Sequence, residues 1–155
     1  MPDLPQEPQP GATRAAEQEL AELRAQAQRA LDLGDNSRAI ELYRELIARL
    51  EDPDADTLNK LGIAYARSQQ LAPAEEAFRA ALERDANYPP ALSNLGNIYF
   101  TRGDYQKAEE LYKQALKYDP DYSTAYNNLA AAYKKQGKIA EAVAALKRAQ
   151  RLELH

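Results

Sequence analysis

The chain has 155 residues, enough for one domain or a short array of repeats. It has 20 basic and 24 acidic residues, and the resulting net charge of −4 argues against general binding to nucleic acid or anionic membranes, which needs a surplus of positive charge. The sequence has no cysteine, which excludes disulfides and thiolate sites, and no apolar run approaches the roughly 18 residues that span a bilayer.

The N-terminal segment is rich in proline: Pro2, Pro5, Pro8 and Pro10 precede Gly11. Proline removes backbone donors and opposes helix formation, so residues 1–12 are predicted to form a disordered tail. The segment lacks the apolar core of a signal peptide. We therefore expect a cytoplasmic protein, or a periplasmic one if a targeting segment has been removed.

From Thr13 onward the composition is that of helices, with abundant Ala, Leu, Glu, Gln, Arg and Lys. No segment shows the alternation of β-branched residues that is typical of strands. Apolar periodicity predicts helices over 89–102 and 105–118, separated by Gly103-Asp104 and ended by Asp119-Pro120-Asp121. The sequence predicts an all-α protein.

The helical region repeats with a period of 34 residues. Tyr65, Tyr99 and Tyr133 are each separated by this step. The same step relates three further sets: Leu61, Leu95 and Leu129; Ala74, Ala108 and Ala142; Ala81, Ala115 and Ala149. Several registers with one period indicate a solenoid, because one helix pair cannot bury its apolar face alone.

The repeat resembles a known family. Its clearest copy carries Leu92, Leu95, Gly96, Tyr99, Ala108, Tyr112, Ala115 and Pro120, which is similar to the tetratricopeptide repeat. The resemblance implies a right-handed α-solenoid of antiparallel helix pairs with about four units. These are a degenerate helix pair over 13–54 and repeats over 55–88, 89–122 and 123–155, the last without an extra capping helix. Small Gly96 is expected to face small Ala108, so that the two helices approach closely.

The sequence offers little for catalysis. The only histidine is His155 at the C-terminus, and no Ser-His, Cys-His or His-based metal arrangement exists. The acidic run Asp52–Asp56 resembles the start of a calcium loop but has Thr57 where glycine is required, so it is interpreted as a turn and helix cap. We predict a non-enzymatic protein without metal or cofactor.

The resemblance also implies a binding surface. In this family the first helix of each unit lines a concave groove that binds an extended peptide or a partner helix. The predicted groove residues are Asn59, Lys60, Ile63, Arg67, Asn94, Asn97, Phe100, Asn127, Asn128, Lys134 and Lys135.

Asn94 and Asn128 occupy equivalent positions, although asparagine is a poor helix former. A side-chain amide both donates and accepts, so it can pair with the backbone of any extended peptide. The alternative is that these side chains bond neighbouring side chains or face water.

The lysines and Arg67 make the groove locally basic, which favours an acidic segment or a free C-terminal carboxylate. Chaperone-binding members of the family carry a clamp for two carboxylates, made of Lys, Asn, Asn, Lys and Arg. Only Asn94 matches that clamp here, so this particular partner is not expected.

The last helix carries apolar residues that no further unit would cover: Ile139, Val143, Leu146, Ala149 and Leu152. An uncovered face of this kind predicts self-association or a partner. The leading hypothesis is a protein-interaction scaffold that binds a peptide in its groove. The alternatives are self-assembly through the solenoid ends, or an accessory domain of a larger protein.

Overall fold

A computed structural model describes residues 10–155, which form eight α-helices and contain no strand. The helices are α1 (Pro10–Asp32), α2 (Asn36–Arg49), α3 (Ala55–Arg67), α4 (Leu71–Arg84), α5 (Pro89–Thr101), α6 (Tyr105–Tyr118), α7 (Ser123–Lys135) and α8 (Ile139–Glu153). None of these helices is both long and apolar enough to cross a membrane.

Each helix packs mainly on its neighbours in the chain, and the first helices α3, α5 and α7 also contact one another in succession. The four pairs are named unit 1 (α1–α2), unit 2 (α3–α4), unit 3 (α5–α6) and unit 4 (α7–α8). This arrangement confirms the predicted all-α solenoid of helix pairs. The first helices of units 2, 3 and 4 therefore lie side by side and form one surface.

The N-terminal boundary differs from the prediction. Helix α1 begins at Pro10, so residues 10–12 are helical and not part of a disordered tail. Proline is compatible with the first turn of a helix, where its missing N–H would have no partner in any case. The prediction for residues 1–9 lies outside the described residues.

Aspartates begin three of the helices. Asp35, Asp54 and Asp104 each accept a hydrogen bond from the backbone N–H three residues later, at 2.7–3.1 Å. Such a bond satisfies one of the unpaired donors of the first turn. The predicted role of the Asp52–Asp56 run as a turn and cap is confirmed at Asp54.

Two glycines allow the helices of a unit to pack against an aromatic ring. A Cβ atom at Gly96 would lie 2.6 Å from Cε1 of Tyr112, and one at Gly62 would clash with the ring of Phe78. The predicted close approach is therefore present, and the atoms nearest to Gly96 belong to the ring of Tyr112. The glycine makes room for a ring, which then fills the space between the helices.

A buried carboxylate links units 3 and 4. Glu109 is 7 % exposed and accepts hydrogen bonds from the side chains of Lys113, Gln136 (2.8 Å) and Lys138 (2.9 Å). Burial by itself raises the pKa of Glu109, but these three donors outweigh it and hold the pKa at about 2. Glu75, 34 residues earlier, bonds Arg79 and Arg102 in a similar way.

The outer face of α8 is exposed, as predicted, at Ile139, Val143 and Leu146. The prediction is wrong for Ala149, which is fully buried, and Leu152 is half-buried. Ala149 occupies the register of Ala81 and Ala115, which are also fully buried between helices. The position of a residue within the 34-residue repeat, more than its apolar character, decides whether it faces the neighbouring helices or the outer surface.

Candidate functional site

A cavity of about 400 Å³ opens between α3 and α5 on the surface that the first helices form. It is lined by Ile63, Ala66, Arg67, Gln69, Leu71, Phe78, Asn94, Asn97, Ile98 and Thr101. The lining combines apolar side chains with amide, hydroxyl and guanidinium groups. Such a combination is typical of sites that bind a partly apolar ligand in a fixed orientation.

Four of the predicted groove residues meet in this cavity: Ile63, Arg67, Asn94 and Asn97. The apolar members Leu71, Phe78 and Ile98 were missed because they do not belong to the predicted inner face. Phe78 and Leu71 come from the second helix, and Ile98 is 2 % exposed. The sequence contained one signal for these residues, namely the pairing of Gly62 with Phe78. A glycine that lies against an aromatic ring marks the place where α4 comes close to α3.

The two recurring asparagines bond the preceding unit. Asn94 Nδ2 donates to Asn59 Oδ1 at 3.0 Å, and Asn128 Nδ2 donates to Ser93 Oγ at 3.2 Å. Asn59 and Ser93 are themselves 34 residues apart, so the two bonds are equivalent. The recurrence thus has a structural explanation, and a further role in binding a peptide stays a prediction.

Asn59 and Asn127 are less suited to contact a ligand. Asn59 is only 3 % exposed and supports Asn94 from within the protein. Asn127 is exposed, and its Nδ2 donates to Glu153 of α8 at 3.3 Å. The first residue is therefore a structural support, and the second belongs to the end of unit 4.

The basic side chains that were predicted to line the groove lie in two separate places. Lys60 forms an ion pair with Asp56 at 2.8 Å, and Arg67 Nη1 donates to the carbonyl of Leu31 at 3.0 Å. Lys134 and Lys135 are exposed at the end of α7, where Lys135 lies 5.9 Å from the ring centre of Tyr105. Phe100 packs edge-on against the same ring. The cations do not form one cluster.

Asn97 has a structural partner in its own unit. The hydroxyl of Tyr112 donates to Asn97 Oδ1 at 2.6 Å, and burial raises the pKa of Tyr112, which keeps the hydroxyl protonated. Unit 1 has the same arrangement, since Tyr43 donates to Gln28. Unit 2 has Phe78 and Ile63 at these positions. In these three units, an amide therefore lies at the position beside the tyrosine of the second helix, and an apolar residue takes that position beside the phenylalanine.

This pairing predicts a compensating double substitution. Tyr112→Phe and Asn97→Ile should each lower the free energy of unfolding by about 1 kcal/mol, because each leaves a polar group without its partner. The double variant recreates the pair of unit 2 and should recover most of that loss. Urea unfolding of the four proteins measures the coupling. Additive losses would contradict the pairing.

Within residues 10–155, no three His, Asp or Glu side chains lie close enough together to hold a metal ion. The polar groups around the cavity are three amides, one hydroxyl and one guanidinium. These groups can form hydrogen bonds with a ligand and, at Arg67, an ion pair.

Family comparisons agree with this geometry along the chain. Models of the tetratricopeptide repeat match residues 24–89, 77–110 and 123–154, and a further repeat model of the same kind matches residues 96–137. The chain belongs to the tetratricopeptide repeat family. No curated protein sequence matches it.

Solved structures share the tetratricopeptide repeat fold. The crystal structure of MamA is 26 % identical with a TM-score of 0.75, and the match covers 92 % of this chain and 87 % of MamA. The Cut9-Hcn1 hetero-tetramer is 23 % identical with a TM-score of 0.73, covering 81 % and 25 % of the two chains. The second repeat domain of Spaghetti (RPAP3), bound to the HSP90 peptide SRMEEVD, is 22 % identical with a TM-score of 0.61, covering 63 % and 91 %.

Proposed function

We propose that this tetratricopeptide repeat protein is a non-catalytic scaffold that binds an extended peptide or partner helix along its first helices. The observation that carries the proposal is the cavity between α3 and α5, which accepts one apolar side chain of the ligand between Ile63, Leu71 and Ile98. Burying an aliphatic side chain there contributes about 1.5–3 kcal/mol.

The amides at the edge of the cavity suit the ligand backbone. Asn94 uses its Nδ2 for Asn59, and Asn97 uses its Oδ1 for Tyr112. Among the described residues, Oδ1 of Asn94 and Nδ2 of Asn97 have no partner. One acceptor and one donor therefore lie at the cavity, which matches the N–H and C=O of a peptide main chain. The structural bonds hold each amide in place before a ligand arrives.

The structure of Spaghetti (RPAP3) supports the proposal at the level of fold, because that protein holds a peptide. The identity of its peptide is not transferred here, since only Asn94 matches the carboxylate clamp. A preference for an acidic residue or a free C-terminal carboxylate rests on Arg67 at the cavity and on Lys134 and Lys135.

Selection from a random peptide library tests the proposal without knowledge of the natural partner. The immobilised protein should enrich peptides that share an apolar residue, with acidic residues nearby. Affinity for these peptides should fall with added salt if Arg67 and the lysines contribute. A selection that enriches no common pattern would contradict a groove that binds extended peptides.

Self-assembly through the solenoid ends is the second candidate function. Its support is the exposure of Ile139, Val143 and Leu146, which are 57 %, 45 % and 44 % exposed. Light scattering over a concentration series distinguishes it from the first candidate, because a strict monomer at high concentration contradicts self-assembly. The cytoplasmic location also stays a prediction, which cell fractionation would test.

A further inference from the structure

The C-terminal stripe, defined as Ile139, Val143 and Leu146, occupies positions that are covered inside the solenoid. The equivalent residues of unit 3 are Tyr105, Glu109 and Tyr112. Tyr112 is only 1 % exposed because it packs with Leu129 and Ala132 of α7, and Glu109 is 7 % exposed beside Gln136 and Lys138 of the turn after α7. The stripe thus has the shape of a surface that receives a helix, and within residues 10–155 no helix covers it.

Charge indicates which kind of helix fits. Residues 123–155 contain six basic and two acidic residues, a net charge of +4 in a chain whose total is −4. Lys147 and Arg151 are exposed on α8, four and eight residues after Val143, so they flank one side of the stripe. Glu109 holds the register of Val143 in unit 3 and meets basic partners there. On α8, Val143 takes the place of this carboxylate, so Lys147, at the register of Lys113, lacks the acidic partner that Lys113 has in unit 3.

We propose that the C-terminal stripe binds an acidic amphipathic helix of a partner protein, which lies on α8 as α7 lies on α6. Apolar residues of the partner cover Ile139, Val143 and Leu146, and carboxylates beside them face Lys147 and Arg151. Helix-in-groove recognition of this type uses apolar anchors at helical spacing. This second surface is separate from the cavity between α3 and α5.

A second copy of the chain is a poorer occupant of the stripe. Two stripes brought together by a twofold axis would oppose two units of charge +4. The other end of the solenoid is polar: Glu22 and Gln26 are exposed where α5 has the buried Ala91 and Leu95. Neither a contact between two stripes nor a contact between the stripe and the other end of the solenoid combines apolar burial with opposite charge.

Two synthetic helical peptides test the proposal. Both carry leucines at i, i+4 and i+7, and they differ only in having glutamates or lysines beside the leucines. Fluorescence anisotropy should show the glutamate peptide binding at least tenfold more tightly. Val143→Glu, which introduces the residue of units 2 and 3, should weaken this binding at least tenfold. Circular dichroism checks that the variant keeps its helices.

Charge reversal gives the sharper outcome. The double variant Lys147→Glu, Arg151→Glu should prefer the lysine peptide. Lys117→Glu, at the register of Arg151 in unit 3 and also exposed, should leave the preference unchanged. Ala66→Phe, which fills the cavity between α3 and α5, should not change the affinity for these peptides. A failure of the proposed helix site on α8 is therefore distinguishable from a failure of the proposed peptide-binding function. Equal affinity for both peptides overturns the proposal. So does a dimer, seen by light scattering, that Val143→Glu dissociates.

Discussion

Replacing Ala66 with phenylalanine should weaken binding of a library-selected peptide at least tenfold, or by about 1.4 kcal/mol. Ala66 lines the cavity between α3 and α5, and a phenyl ring at this position would occupy the space that the ligand side chain needs. The substitution is compatible with the repeat, since Phe100 holds the same register in unit 3. Isothermal titration with the selected peptide measures the loss.

The matched control is Ala48→Phe, which makes the same chemical change on an exposed position of α2. It should leave the affinity unchanged, and both variants should retain the helicity of the parent. Ala66→Phe is preferable to replacing the asparagines. Asn94→Ala would also remove the partner of the buried Asn59, so a weaker affinity could arise from loss of structure. Full affinity in Ala66→Phe would show that the cavity does not receive the peptide.

Replacing Glu109 with glutamine should destabilise the protein at neutral pH by on the order of 3 kcal/mol. The carboxylate is 7 % exposed and joins α6 to the turn between α7 and α8. Glutamine keeps the size of the side chain but leaves Lys113 and Lys138 without their counter-charge. The lysines are 53 % and 41 % exposed, so the loss comes from the charge-assisted hydrogen bonds that the carboxylate accepts, which are roughly twice as strong as the neutral ones that glutamine can make.

The same substitution should change the response to acid. The pKa of Glu109 falls from its usual 4.5 to about 2 on folding, so the folded state binds fewer protons than the unfolded state. The stabilisation is fully present above about pH 4.5 and is lost as the pH falls towards 2. The stability difference between parent and Glu109→Gln should therefore shrink over this interval.

Urea unfolding of both proteins at a series of pH values measures that difference in the free energy of unfolding. Taking the difference cancels the contribution of the other carboxylates, which the two proteins share. Glu110→Gln is the control, because Glu110 forms an exposed ion pair with Lys107 at 3.3 Å. Exposed pairs are worth about 0–1 kcal/mol. If the parent and Glu109→Gln lost stability in parallel from pH 7 to 2, the carboxylate would not hold units 3 and 4 together.

The sequence was sufficient to predict the helices of the repeats. Predicted segments 89–102 and 105–118 correspond to α5 at Pro89–Thr101 and α6 at Tyr105–Tyr118. This success follows from the period of 34 residues, which repeats every packing requirement several times. The start of α1 had no such repetition, and proline at the first turn of a helix has the same appearance as proline in a tail.

Side-chain partners across repeats were not predictable to the same degree. The register showed that Asn94 and Asn128 are equivalent, but not that each donates to a residue 35 positions earlier in the preceding first helix. The same applies to the cavity, whose floor depends on how far α4 approaches α3 at Gly62 and Phe78. Such contacts depend on the packing of whole helices, which periodicity alone does not specify.

Amide chemical-shift mapping with a library-selected peptide tests the peptide-binding groove most directly. If the peptide binds between α3 and α5, the largest changes will lie in residues 63–71 and 94–101, and the outer face of α8 at 139–146 will be unaffected. Changes confined to α8, or to the second helices α2 and α6, would contradict binding in the groove.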